Sequence, residues 1–221
     1  MSYNTVNYQV YNTLYSINKI LRVLNEHKIL GFDVETRSIY TAEQVKEAKE
    51  LLKHPKNINP CFLINVKKVA KSSGLSHPTL IRTTHFIFGI TSTESVILIA
   101  HDEKTEMAIW NWIVKYKGKF LIHNSGFDLK ICYQRTGKLP VNFEDTQLIA
   151  KCYINNADNW KAKVGLKVLM GGYYNPKWSM YEDYNIKNIN DTDFLEYCAI
   201  DGSSVVMLYR LLQEHKESML P

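Results

Sequence analysis

No run of apolar residues in this 221-residue chain approaches the length needed to cross a bilayer; the longest, such as Val96–Ala100, end after a few positions. That excludes a membrane-spanning helix, and no membrane partner is expected. Met1–Gln9 is polar and lacks the apolar core of a secretory leader, so the chain is expected in the cytoplasm. The four cysteines, Cys61, Cys132, Cys152 and Cys198, contain no Cys-x-x-Cys pair. The usual zinc spacing is therefore missing, and reduced, buried thiols are expected instead. There is no internal repeat, no low-complexity segment and no Pro/Gly/Ser-rich linker, which points to one domain over residues 1–221. Acids are missing too. From Leu51 to Thr93 there is no Asp or Glu, while Lys53, Lys56, Lys67, Lys68, Lys71 and Arg82 all fall there. A surface that tracks phosphates needs such a one-sign stretch, and a solvated loop would show the same count.

What is present suits a globular α/β protein. Hydrophobic residues make up 45% of the chain and the net charge is +5, a modest basic balance compatible with a polyanionic partner. Leu14, Ile17, Ile20, Leu21 and Leu24 recur at helical spacing, predicting an amphipathic N-terminal helix over about residues 10–27. Ile29–Glu35 reads as a buried strand with acids at its end. Thr41 and Gln44 form a capping box for a helix that runs to about Lys53, and Asn65–Ser73 reads as a second short helix. Arg82–Thr91 and Ser95–Ala100 read as a hairpin. After them come a helix over Glu103–Tyr116, a strand over Lys119–His123 and a helix over Gly126–Thr136. A short strand at Phe143–Asp145 precedes helical segments at Thr146–Tyr153 and Gly165–Met170, and Asp191–Gln213 is a long final helix. The order predicts a mixed five-stranded sheet flanked by helices, interrupted by a helical insertion at about residues 38–80. Insertions of that length are commonly functional, and this one is expected to grip a substrate or dock a partner.

Three motifs carry chemistry. Asp33-Val34-Glu35 places two carboxylates on one face of a strand, because side chains alternate along it. Asn124-Ser125-Gly126-Phe127-Asp128 follows a strand and opens a helix; Asn124 is expected to cap it, and Asp128 falls in its first turn. Tyr197 and Asp201 are four residues apart on the last helix and share a face. Each motif alone also fits an ordinary surface strand, a capped helix or a half-buried Tyr. Together they bring four carboxylates toward one point. Magnesium favours oxygen ligands, and two such ions can clamp the attacking and leaving oxygens of a phosphodiester. Four acids crowded without a cation would repel one another.

In this order the motifs resemble those of the DEDD superfamily of 3′→5′ exonucleases, which has a ribonuclease-H-like fold. The Tyr-x-x-x-Asp spacing is that of the tyrosine subclass, since Glu196 stands where the other subclass has its histidine. Phe143-Glu144-Asp145-Thr146, Gly165-Leu166-Lys167-x-Leu169 and Tyr197-Cys198-Ala199-x-Asp201 are most similar to the proofreading domain of family A DNA polymerases. The likeness covers about Ile29–Leu212. The long insertion and the absence of a polymerase domain after Pro221 depart from that pattern, and imply a free-standing exonuclease, encoded by a phage or a plasmid and, if by a phage, expected in its host's cytoplasm. The resemblance implies that Asp33, Glu35, Asp128 and Asp201 bind two divalent ions (Mg²⁺ or Mn²⁺), Asp33 bridging them, and that Tyr197 orients the attacking water. It further implies substrate contacts from Thr36, Asn124, Phe127 and Lys167. Asp145 belongs behind the metal ligands, and His123 is structural. Trp160-Lys161-Ala162-Lys163 mixes an aromatic with cations that suit a single strand, as they suit ordinary packing. Met180–Tyr184, with two tyrosines, is equally ambiguous.

The expected activity is removal of nucleotides from DNA 3′ ends, single strands preferred, with a separate DNA polymerase as a partner for proofreading. Two alternatives stand beside it: RNA 3′ trimming resembling ribonuclease D, and a non-catalytic nucleic-acid-binding module on the same fold.

Overall fold

The computed structural model describes residues 5–55, 59–71, 80–154, 163–171, 173, 174, 178 and 190–219. Contacts divide the chain into two compact units, Met1–Val34 with His85–Pro221, and Glu35–Thr84. In chain order the elements are β1 (Asn7–Tyr11), α1 (Leu14–Leu24), β2 (Ile29–Ser38), α2 (Ala42–Leu51), α3 (Pro60–Lys71), β3 (Ile81–Thr91), β4 (Glu94–Ile99), α4 (Glu103–Ile113), β5 (Lys119–Ile122), α5 (Gly126–Thr136), β6 (Phe143–Asp145), α6 (Thr146–Ile154), α7 (Leu166–Met170) and α8 (Thr192–Met219).

The sheet has six strands in the order β1-β4-β3-β2-β5-β6, so the α/β class holds with one strand more than the five expected. The extra strand is β1, parallel to β4 at the sheet edge. It shortens the predicted N-terminal helix, which starts only after Thr13 caps it by accepting the Ser16 N–H. β3 and β4 form the expected antiparallel hairpin, and β2, β5 and β6 run parallel to one another.

Period-two alternation in β2 and β3 builds two different faces. On one, Phe32 and Phe86 meet Trp110 of α4, with ring centroids 4.9 Å apart for Phe86–Trp110, while Phe88 and Phe120 pack on Phe32 at 5.5 and 5.2 Å. On the other, Ile87, Ile97 and Ile99 pack against Cys198, Ala199 and Leu208 of α8. Here glycine is needed for close approach. A Cβ on Gly31 or on Gly89 would run into the Gly202 carbonyl oxygen, and one on Gly202 would meet Ile87 Cγ2 at 2.6 Å. The helix thus rests directly on two strands. Ser95 pins it further: its hydroxyl donates to the Ala199 carbonyl at 2.8 Å and lies 2.7 Å from the Ser203 hydroxyl, all buried.

The unit Glu35–Thr84 has a small core of its own, Ala48, Val66 and Ala70 joined by Leu52 and Val69 between α2 and α3. Thr41 and Gln44 make the predicted capping box. α3 starts at Pro60, earlier than expected, because proline is preorganised for the first turn of a helix. Cys132 and Cys198 are buried as expected, whereas Cys152 is exposed. Among the described residues no helix is long and apolar enough to cross a membrane.

Candidate active site

β2 delivers the first two acids. Phe32, Val34 and Thr36 are buried, while Asp33, Glu35 and Arg37 between them are half-buried, which is the strand alternation made visible. Asp33 and Gly31 share a face, and Gly31 is where α8 approaches β2 through Gly202. The residue before Gly202 is Asp201, which is 7% exposed. The glycine contact therefore carries Asp201 to the acidic face of β2. Carboxylate oxygens of Asp33, Glu35 and Asp201 all lie within 4.8 Å of one another.

Asp128 is the fourth. It sits in the first turn of α5 and is 4% exposed. The N–H groups of Asp128 itself and of Val34, the residue between Asp33 and Glu35, reach its carboxyl. Burial nonetheless holds its pKa up to about 7. Its Oδ1 is enclosed and accepts no hydrogen bond among the described residues. A buried oxygen left without a hydrogen is costly unless something positive meets it. An all-oxygen donor set, three of its members converged and the fourth offering an orphaned buried atom beside the same strand, fits a hard divalent cation.

Tyr197 lies one turn before Asp201 on α8. Phe194 stacks on its ring at 5.8 Å and is itself met edge-on by His85, so the phenol is held from behind. Lys167 of α7 places its Nζ 4.7 Å over that ring and donates to the Tyr197 hydroxyl oxygen at 3.3 Å. The sequence offers Lys167 as a substrate contact; in the fold its ammonium engages Tyr197.

No family model matches this sequence, and no curated protein matches it either. Solved structures do. The catalytic core of RRP6 from Trypanosoma brucei superposes with a TM-score of 0.63 at 13% identity, over 97% of this chain and 48% of that one. Escherichia coli RNase D, an exoribonuclease involved in structured RNA processing, gives 0.58 at 13% identity, over 96% and 46%. Brucella melitensis NrnC with bound Mg²⁺ gives 0.53 at 12% identity, over 97% and 83%. The fold is that of the ribonuclease-H-like exonucleases. This chain spans about half the length of the RRP6 and RNase D structures it matches.

Within that exonuclease fold, the start of α5 differs from the sequence expectation. Asn124 does not cap the helix: it adopts a left-handed backbone at φ 61°, a conformation asparagine tolerates well, and Ser125 takes the cap position. The binding partner for this turn is Asp145, whose carboxylate accepts from the Ser125 N–H at 2.8 Å, the Ser125 hydroxyl at 2.9 Å and the Gln147 N–H at 2.8 Å, with longer bonds from Asn124 and Leu148. Burial alone would raise its pKa, but these donors outweigh it and hold the carboxyl below its ordinary value. Asp145 therefore fastens α5 to α6 and orients the turn that carries Asp128. His123 is structural: Nε2–H donates to the Val164 carbonyl at 2.9 Å and Nδ1 lies 3.0 Å from the Thr146 hydroxyl.

Thr36 is 7% exposed and has the parity of Val34, so its side chain lies on the opposite face of β2 from Asp33 and Glu35. Phe127 is exposed beside Asp128, with its ring available to solvent. Residues 160–162 and 180–184 lie outside the described residues.

Proposed function

We propose that the chain is a metal-dependent 3′→5′ exonuclease acting on single-stranded DNA ends, serving as a proofreader for a separate polymerase. The observation that carries this reading is the convergence of Asp33, Glu35 and Asp201 within 4.8 Å; the buried Asp128 oxygen that lacks a hydrogen bond agrees with it. Asp33, Glu35, Asp128 and Asp201 would hold two divalent ions, Mg²⁺ or Mn²⁺. When bound, those ions supply charge neutralisation at the scissile phosphate and lower the pKa of water.

The chain's own groups do the rest. Tyr197 presents its hydroxyl to the attacking water, and Lys167 donates to the phenol oxygen. The water oxygen bonds to phosphorus, and the bond between phosphorus and the upstream 3′ oxygen breaks. The departing oxygen takes up a proton, leaving a 3′-hydroxyl on the shortened strand and a free nucleoside 5′-monophosphate. Phe127 packs against the terminal nucleotides, and Asn124 contacts them from the turn before α5. A terminal nucleotide must leave its stack to enter such a pocket, which favours single strands.

A second reading, RNA as substrate, is favoured by the structural likeness to RNase D, an exoribonuclease. A time course on matched 3′- and 5′-labelled DNA and RNA oligonucleotides, with Mg²⁺ and with EDTA, separates the two. The expected result is stepwise loss from the 3′ end of DNA that EDTA stops and that Asp33→Ala abolishes. Faster shortening of the RNA would transfer the assignment to RNA trimming. Tight binding of either strand without shortening would leave a binding module.

A further inference from the structure

The parallel strands β2 and β5 start side by side, where Ile29 pairs with Lys119. Ile29 precedes Asp33 by four residues, about 13 Å along the strand. The turns that feed the two strands enclose a depression of about 380 Å³, whose lining includes Asn25, His27, Lys28, Lys117 and Asn142, with Glu26 as its acid. Its wall is fastened by three bonds. The Tyr116 hydroxyl donates to the His27 carbonyl at 2.6 Å, the Lys119 N–H to the Lys28 carbonyl at 2.8 Å, and the Trp112 indole N–H to Asn25 Oδ1 at 3.1 Å. Tyr116 is buried, and a Cβ on Gly118 would run into its hydroxyl and lie 2.8 Å from the Lys28 carbonyl oxygen. Only glycine lets the second turn lie so close to the first.

This scaffold holds up cations. Lys119 at the edge of the depression pairs with Glu144. Lys28 and Lys117 are exposed and make no ion pair or side-chain hydrogen bond among the described residues. Asn25, with Oδ1 engaged by Trp112, has its N–H₂ group left to donate. The chain carries no acid from Met107 to Phe127, yet Lys115, Lys117 and Lys119 fall there. We propose that this depression is a second phosphate-binding site, apart from the carboxylates, with Lys28 and Lys117 as its cations. A lysine is a compact charge with three donors, so two of them on one polar wall suit an anion that has several oxygens. The phosphate comes either from the backbone of a bound single strand or from a free nucleoside 5′-monophosphate; the second source rests on the exonuclease reading, whose reaction releases one.

The test reads binding in EDTA, so that no strand is cut, by fluorescence anisotropy of a labelled single strand over a series of salt concentrations. In the double variant Lys28→Gln with Lys117→Gln, the slope of log affinity against log salt should shrink by about 1.4, the counterion release of two phosphates on a single strand. Lys19→Gln with Lys104→Gln removes two exposed lysines from α1 and α4 and should keep the wild-type slope. An unchanged slope in the first variant, together with calorimetry in which it binds a nucleoside 5′-monophosphate at least tenfold more weakly than wild type, assigns the site to the free nucleotide. An unchanged slope without that loss, or equal shrinkage in both double variants, overturns the proposal. A protein that binds as expected but shortens no strand in Mg²⁺ would defeat the exonuclease reading and leave the phosphate site standing.

Discussion

Asp128 shows how a buried carboxyl can cost stability while keeping an oxygen able to meet a cation. Its carboxyl is enclosed, with one oxygen lacking a hydrogen, and its pKa stands at about 7 against an ordinary 3.8. The sign follows from linkage. In the metal-free protein the fold holds a proton that the unfolded chain would release between about pH 4 and 7, so the penalty for a charged Asp128 is fully present above pH 7 and fades as the pH falls. Asp128→Asn should therefore stabilise the metal-free protein at pH 8 by about 2 kcal/mol, several degrees in Tm, and do little at pH 5. It should also abolish nucleolysis. Thermal melts at the two pH values check this, and equal shifts at both would mean that Asp128 is not a buried charge. Tyr197 belongs to the same scale. Tyr197→Phe removes the hydroxyl but keeps the ring between Phe194 and Lys167, so metal binding should survive while turnover falls about 10–100-fold through misplaced water. An unchanged turnover would take Tyr197 out of the chemistry.

At the scale of elements, the site depends on how closely α8 lies on β2 and β3. A methyl group at Gly89 would meet the Gly202 carbonyl, which has no room to yield because Gly31 occupies the same space from the neighbouring strand. Gly89→Ala should cost about 3 kcal/mol and lower activity as well, since the displaced residue is the neighbour of Asp201. Gly126→Ala is the control: nothing lies within 4 Å of the added Cβ, so stability should stay within about 0.5 kcal/mol of wild type. Urea melts of the two variants decide it; similar losses in both would show that close approach is not what Gly89 provides.

The elements also show what sequence makes legible. Asp33 and Glu35 could be placed on one face because a strand has period two, and the Thr41–Gln44 cap because its bonds are local. β1 was not legible: its residues are mostly exposed, so Asn7–Tyr11 carries no clean alternation, and its partner Glu94–Leu98 is far along the chain. The Asn124 turn was misread as a cap because its true organiser, Asp145, arrives from about twenty residues downstream. Likewise no local pattern announces that Gly31, Gly89 and Gly202 meet.

For the whole molecule, the converged acids Asp33, Glu35 and Asp201 come from β2 and α8, elements far apart in the chain, while the insertion folds around its own core of Ala48, Val66 and Ala70. The order of motifs along the chain made the fold class readable, and the superpositions agree with it at identities of 12–13%. The sequence supplies no signal for sugar preference, because no side chain here is marked as a reader of the 2′-hydroxyl. The most direct measurement of the central claim is anomalous scattering from crystals of the protein grown with Mn²⁺. The expected result is manganese bounded by the carboxylates of Asp33, Glu35, Asp128 and Asp201, lost in Asp33→Ala crystals that keep the same fold. Manganese bound elsewhere, or no manganese at these acids at saturating concentration, would contradict a metal-centred nuclease.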